Sequence, residues 1–390
     1  MATLNLDQLA GWDALLSDEE QQVQRTVRAF VRASVMPRIA ADFEAGHFAR
    51  DLIPELAALG LLGANLTGYG CAGMGSVAWG VACHELEAGD SGLRSFVSVQ
   101  TSLAMYAIWR FGSEAQKQRW LPAMAAGRAV GCFGLTEPDH GSDPGSMETR
   151  ARRDGSDWIL NGRKQWITNA QIADVAVVWS QCSHNADGIA GFLVEKGRPG
   201  FSATDIPRKL SMRASVTGGL FLDDVRVPEE ARLPGAAGLR APLACLDAAR
   251  FGVAFGVVGA ARFCLESAID YTQGRKQFGV PLAQKQLVQA ELADLAGGVV
   301  KASVLAVHFG RLKDAGKLHA AQTSLLKREN CRMALDTARR TRALLGANGV
   351  SGDYHVLRHA LNLESTSTYE GTDFIHALTV GRALTGLSAF

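Results

Sequence analysis

Glu370 is the residue through which this sequence most directly offers a base. It stands in Thr368-Tyr369-Glu370-Gly371-Thr372, ahead of an apolar helical run over 375–384. An acid near a helix start is commonplace and mildly stabilising, and Thr368 or Thr372 can cap such a helix. Inside an apolar pocket the same carboxyl gains a raised pKa and can remove a proton as a general base. Periodicity alone does not choose between the two. Arg94, with Ser95 and Ser98, stands at the entrance of an uncharged stretch, 95–109. An arginine there either snorkels along apolar surface or forks onto a carboxylate.

Two further constellations suit a ligand. Gly131-Cys132-Phe133-Gly134-Leu135-Thr136-Glu137-Pro138 runs into Asp139-His140-Gly141-Ser142-Asp143. A turn this dense in Gly, Ser, Thr and Asp can present N–H groups and hydroxyls to a ligand, or it is an ordinary decorated loop. In Lys164-Gln165-Trp166-Ile167-Thr168-Asn169 the two-residue strand period puts Trp166 and Thr168 on one face. An indole beside a hydroxyl suits a planar heteroaromatic ligand; a core Trp with a surface Thr gives the same pattern.

Other patterns carry no chemistry. Gly68-Tyr69-Gly70-Cys71-Ala72-Gly73 matches G-x-G-x-x-G, but helix or loop precedes it and Glu87 falls in a helix, so it is a structural loop. His84-Glu85 opens like a zinc motif, but position 88 is Ala, and no metal site is expected. The seven cysteines lack C-x-x-C spacing and imply buried thiols rather than disulfides.

Elements that could position these residues follow in three blocks. Ser17-Asp18-Glu19-Glu20 is a capping box, and Val23, Val27, Phe30 and Val31 form one helical face that Pro37 ends. Further helices are expected over 51–62, 77–87 and 97–111. Short runs rich in Val, Ile, Trp and Phe at 158–160, 173–180, 191–195 and 219–227 then alternate with Asp154-Gly155, Asn161-Gly162, Asp187-Gly188 and Pro199-Gly200. That is the pattern of a small, mostly antiparallel sheet. Helical periodicity returns at 241–273, 283–313, 317–346 and 369–387, enough for a four-helix bundle. The class is therefore α+β. The expected domains are 1–129 (helical), 130–238 (β) and 239–390 (bundle).

The balance of 40 Lys+Arg against 39 Asp+Glu, net +1, argues against broad affinity for nucleic acid or anionic membrane. Residues 1–12 lack the basic start and apolar block of a signal peptide. The uncharged stretch 56–83 is broken by seven glycines and is no membrane span. No membrane insertion is expected, and a cytoplasmic location if the source is bacterial.

These pieces, in this order, resemble the acyl-CoA dehydrogenase family, and within it the glutaryl-CoA dehydrogenases. The resemblance runs from the first capped helix to Phe390. Its carriers are residues 92–100, 131–147, 166–169, Lys209-Leu210-Ser211-Met212-Arg213-Ala214-Ser215, Arg275 with Gln277-Phe278-Gly279-Val280-Pro281-Leu282, and 368–372. It implies a homotetramer with FAD between the β domain and the bundle. Phe133, Leu135, Thr136, Ser142, Trp166 and Thr168 match the family's FAD contacts, with Thr372 near the same cofactor. Arg275, Gln286 and Gly346 would reach it from a neighbouring subunit. Ser142 and the stretch from Leu243 to Arg250 match contacts to the CoA thioester.

The resemblance also implies a mechanism. Glu370 matches the catalytic base that takes the α-proton of an acyl thioester while flavin N5 accepts a hydride from the β-carbon. The thioester carbonyl receives hydrogen bonds from the backbone N–H at Glu370 and from a flavin ribityl hydroxyl, with Gly371 among the substrate contacts. Electrons then pass to an electron-transferring flavoprotein. Arg94, flanked by Ser95 and Ser98 and offset by Glu87, matches the anchor for a distal carboxylate, and Tyr369 matches the glutaryl enzymes' Tyr-Glu pair. Oxidative decarboxylation of glutaryl-CoA to crotonyl-CoA and CO2 is the expected reaction. Leu93 in place of an aromatic residue, Asp373-Phe374 in place of His-Asp, and Ala347 in place of Gly depart from that pattern. They keep open a relative acting, without decarboxylation, on another short-chain or carrier-protein-bound acyl thioester.

Overall fold

The computed structural model describes residues 4–182 and 188–389. Residues 1–3 and 390, and Asp187 of the expected Asp187-Gly188 turn, lie outside the described residues.

The first block is helical: α1 (Leu6–Ala10), α2 (Trp12–Leu15), α3 (Asp18–Phe30), α4 (Ile39–Ala45), α5 (Ile53–Ala58), α6 (Ser76–Gly89), α7 (Ser91–Ser98), α8 (Tyr106–Phe111) and α9 (Glu114–Ala125). Ser17 and Glu20 form the expected capping box on α3, whose buried face includes Val27 and Phe30. α6 is buried along nearly its whole length, packed between α3 and α10. A helix enclosed on all sides needs no polar stripe. The helix expected at 97–111 starts earlier. Asp90 accepts a hydrogen bond from Gly92 N–H and opens α7, which runs through a π-helical turn, Val99–Met105, into α8.

The middle block is a seven-stranded sheet: β1 (Gly131–Gly134), β2 (Arg150–Asp154), β3 (Asp157–Thr168), β4 (Val175–Cys182), β5 (Ile189–Glu195), β6 (Phe201–Asp205) and β7 (Thr217–Pro228). The order is β1-β4-β2-β3-β7-β6, with β5 also on β4. β1 and β2 pair with β4 in parallel, and the other pairings are antiparallel. Asn161-Gly162 is not the expected turn. It lies inside β3 at a register shift, with Gly162 at φ +146° against Thr149. A Cβ there would sit 2.5 Å from the Thr149 hydroxyl, so the strand bulges and continues.

The last block holds α10 (Arg240–Gly274), a hairpin of β8 (Lys276–Gln277) and β9 (Val280–Pro281), α11 (Gln286–Asp314), α12 (Ala320–Leu344), α13 (Val356–Thr368) and α14 (Asp373–Thr385). The fourth expected helix, 369–387, is α14 alone, starting at Asp373, and an unexpected helix, α13, precedes it across a break at 369–372. α13 escaped the sequence reading because its mixed run of Leu, His, Asn, Ser and Thr has no clear apolar period. α10 and α11 are long and apolar enough to cross a membrane, but both pack in the bundle, where α10 is the central helix. The described cysteines are all free, and all but half-buried Cys71 are buried.

Candidate active site

The break between α13 and α14 places Glu370. α13 stops at Thr368, and Thr372 caps α14 by accepting a hydrogen bond from Ile375 N–H. Between them Glu370 sits at φ +55° and Gly371 at φ +93°. A left-handed glutamate costs about 1–3 kcal/mol and persists only where its surroundings enforce it. Here Arg250 Nε donates to the Glu370 carbonyl (2.9 Å), and Lys327 Nζ donates to the Gly371 carbonyl (2.7 Å) and to Ser367 (3.3 Å). The buried His376 ring lies beneath Gly371, where a Cβ would approach it to 2.8 Å. Position 371 therefore requires glycine twice, for its backbone angle and for the ring below it.

The Glu370 side chain is left unpaired. Among the described residues its Oε2 is buried without a hydrogen-bond partner. Burial raises its pKa to about 7, against the opposing pull of the Arg250, Lys327 and Arg94 charges. A carboxyl poised near neutrality is suited to proton abstraction.

Arg94 is neither at the surface nor snorkelling. It is 1% exposed on α7, with its Nε bonded to the Glu87 carboxylate of α6 and its Nη2 to the Tyr369 hydroxyl. Gly256 of α10 makes room for the pair, since a Cβ there would lie 2.9 Å from Glu87 Oε2. Ser95 and Ser98 are buried on the same helix. Burial raises the Tyr369 phenol well above its ordinary range despite the opposing Arg94 charge, so it stays neutral. Glu87, Arg94, Tyr369 and Glu370 are thus brought together from α6, α7 and the α13–α14 break.

The expected cofactor residues form a neighbouring wall. Phe133 and Leu135 are buried in one apolar cluster with Val99, Leu103, Cys245 and Ala249, which joins β1 to α10 and the π-helical turn. The even alternation expected at 166–168 fails. The β3–β7 register shifts between Lys164 and Ile167, and Trp166 at φ +62° is turned outward, 58% exposed. Gln165 N–H donates to the Thr136 carbonyl (2.8 Å), which brings half-buried Thr136 beside the bulge that carries Trp166 and leads to Thr168. An exposed indole face with hydroxyls at its side fits a flavin. Ser142 is exposed on the neighbouring turn. Leu243, Asp247 and Arg250 share one face of α10 at i, i+4, i+7, with Leu243 and Asp247 exposed and Arg250 reaching the Glu370 carbonyl.

Arg275, Gln286 and Gly346 are not brought to this site. They are exposed at the end of the bundle where α10 and α12 finish and α11 begins. Thr372 lies far from them, because the adjacent Asp373 is held by Arg332 at 2.6 Å. From Arg332 to the end of α12 is about 18 Å at 1.5 Å per residue. Phe374 is 77% exposed, and Leu93 is buried in the N-terminal core. Ala347 is exposed in the turn that follows α12.

Sequence reading missed two supports. Lys164 is fully buried beneath the 135–137 loop, donating to Glu137 (2.8 Å) and the Leu135 carbonyl (3.2 Å). Glu137 also accepts from the N–H groups of Glu148 and Thr149. Lys327 is the other. A signal existed for it, since Lys327 shares the apolar stripe of α12 with Cys331 and Ala334.

A mixed sheet flanked in the chain by two helical blocks, with an exposed indole on the sheet and an unpaired carboxylate in the helical part, suits the class of flavin-dependent dehydrogenases. Three family models match in succession: acyl-CoA dehydrogenase N-terminal domain (residues 17–128), middle domain (132–225) and C-terminal domain (236–385). Among curated proteins, the mitochondrial short-chain specific acyl-CoA dehydrogenase of Homo sapiens is 33% identical over 371 residues, covering 94% of this chain and 90% of that protein. Among solved structures, glutaryl-CoA dehydrogenase from Mycobacterium smegmatis aligns with TM-score 0.97 and 56% identity, each chain covered in full. A glutaryl-CoA dehydrogenase of the same organism in complex with FADH2 aligns with TM-score 0.98 and 54% identity, again over both full chains. The chain belongs to the acyl-CoA dehydrogenase family, and FAD is its cofactor.

Proposed function

We propose that this enzyme oxidatively decarboxylates glutaryl-CoA to crotonyl-CoA and CO2. The observation that carries the reading is Arg94, a fully buried guanidinium joined to Glu87 and the Tyr369 hydroxyl beside Glu370. A buried cation is costly, and a substrate's distal carboxylate would complete this one. Ser95 and Ser98 would add hydroxyls to that carboxylate. The likeness to solved glutaryl-CoA dehydrogenases supports the same substrate.

In this reading Glu370 takes the α-proton, and its carboxyl near pKa 7 is matched to the task. The thioester oxygen accepts a hydrogen bond from backbone N–H at Glu370 and Gly371, offsetting the charge that develops there. FAD, when bound, accepts the hydride from the β-carbon. Loss of CO2 leaves a dienolate, which protonated Glu370 then reprotonates to give crotonyl-CoA. Phe133, Leu135, Thr136, Ser142, Trp166, Thr168 and Thr372 would hold the cofactor, and Ser142 and Leu243 would guide the CoA arm. Arg250 would act through the Glu370 carbonyl. The separation of Arg275, Gln286 and Gly346 from Thr372 favours their serving a second copy's cofactor, and the oligomer of this reading is a homotetramer. Electrons would leave to an electron-transferring flavoprotein. Domain limits of 1–129, 130–238 and 239–390 accompany this reading.

The test is the product from glutaryl-CoA with an artificial electron acceptor. Crotonyl-CoA and CO2 support the proposal. A flavin that stays oxidised with glutaryl-CoA but bleaches with butyryl-CoA sinks it. A second reading, dehydrogenation of another short-chain or carrier-bound acyl thioester, draws on the 33% identity to a short-chain enzyme and on Asp373-Phe374. Recovery of glutaconyl-CoA would identify a non-decarboxylating form.

A further inference from the structure

Lys327 is 1% exposed on the inward face of α12, among Thr323, Leu326, Asn330 and Cys331. Lysines are almost never buried this fully unless paired. Its hydrogen bonds go to backbone rather than to a carboxylate. One reaches Ser367 in the last turn of α13, and the other reaches Gly371 inside the break, on the far side of Glu370. A cation at the C-terminal end of a helix is favoured by the carbonyls exposed there. This one also reaches past Glu370, so it joins the backbone on either side of it.

We infer that Lys327 is a positioning residue for the base: it clamps the α13–α14 break through the Ser367 and Gly371 carbonyls and holds a positive charge near the Glu370 carboxylate. The inference rests on the reading of Glu370 as the base. Lys327 reaches Glu370 through the backbone, because Glu370 Oε2 has no hydrogen-bond partner. Arg250 holds the Glu370 carbonyl from α10 but is also tied to Asp247. Lys327 has no such second tie, so its removal isolates the clamp. With Gly371 unclamped, the left-handed pair at 370 and 371 has only Arg250 and the His376 ring to hold it.

The charged and titratable groups around the two residues set the direction of the pH effect. Glu370 faces Arg94 from α7, Cys245, Asp247 and Arg250 from α10, and Lys327 from α12, with His376 of α14 beneath the break. Lys327 faces Cys331, Arg250, Glu370 and Asp373. Removing a cation that favours the carboxylate shifts the Glu370 titration upward, and Arg94 and Arg250 limit the shift.

The experiment follows flavin bleaching by glutaryl-CoA against pH in FAD-loaded Lys327→Met, Lys327→Gln and Lys327→Arg. Lys327→Met should bleach about 10- to 100-fold more slowly at saturating substrate, as misplaced catalytic groups do. Its rising limb should move up by about one pH unit, with KM little changed. Lys327→Gln keeps a donor without the charge, so it should recover part of the rate but keep the shifted limb. Lys327→Arg should restore the native limb. Native rate and limb in Lys327→Met would overturn the inference. Should that variant fail to retain FAD, Lys327→Gln decides: a shifted limb supports the inference and an unshifted one overturns it. Glu370→Gln, run alongside, separates the two readings, because native bleaching there removes Glu370 as the base whatever the Lys327 variants do.

Discussion

Two carboxylates in this molecule are buried beside a lysine, yet they are built oppositely. Glu137 accepts from Lys164 and from two backbone N–H groups. Burial tends to raise its pKa, but those hydrogen bonds hold it below the ordinary range. Lys164 in turn is pushed down to about 8 by burial, against the pull of Glu137. Glu370 has a lysine nearby that bonds backbone instead, and its own Oε2 has no partner. Its pKa rises to about 7. Saturating a buried carboxylate makes a structural joint, here under the 135–137 loop. Leaving one unsaturated keeps it able to exchange a proton, and the cost is carried by the elements that hold it.

The largest expected effect comes from Glu370→Gln. Flavin bleaching by acyl-CoA should fall about 10²- to 10⁴-fold, the usual contribution of a positioned base. Thermal stability should hold or rise, because an unpaired buried carboxylate is gone. Lys164→Met should do the reverse. Removing one partner of a buried pair costs about 3–5 kcal/mol, to be read from denaturation midpoints of the FAD-loaded protein. A stable Lys164→Met variant beside an unstable Glu370→Gln would break the contrast.

A finer effect is the pH dependence of kcat/KM. As the proposed base, Glu370 would have to be ionised to act, and its pKa is raised, so activity should rise with pH through about 7 and fall about tenfold per unit below it. A limb near pH 4.5 would mean that the carboxylate is solvated or paired in the working enzyme. The smallest effect belongs to Asp373, which pairs with Arg332 and Arg328 at the surface. Asp373→Asn should cost under about 1 kcal/mol. A larger loss in FAD-loaded protein would place that exposed pair among the structural joints.

The legibility of the site followed the range of the interactions. The Ser17 capping box and the alternation of apolar and turn residues act within a few residues and were readable, and the cap of α14 was narrowed to Thr368 or Thr372. The path of β3 through Asn161-Gly162 was not, because the bulge forms against Thr149 of another segment. The outward turn of Trp166 likewise depends on the Gln165–Thr136 hydrogen bond across the loop. The start of α7 at Asp90 was missed for a related reason. Asp90 is fully buried and also binds Asn362 of α13 (2.9 Å), a partner distant in the chain.

By itself the sequence determined the three-block order, the absence of a disulfide framework, and the residue types available for chemistry, Glu370 and Arg94 foremost. These follow from local periodicity and composition. Only the tertiary structure decided between a capping acid at a helix start and a carboxyl left unpaired with its pKa raised, and between a snorkelling arginine and a buried one. The reason is physical: a pKa and an ion pair are set by what lies within a few ångströms. Around Glu370 and Arg94 those neighbours are Glu87, Arg250, Lys327 and Tyr369, brought from four separate parts of the chain.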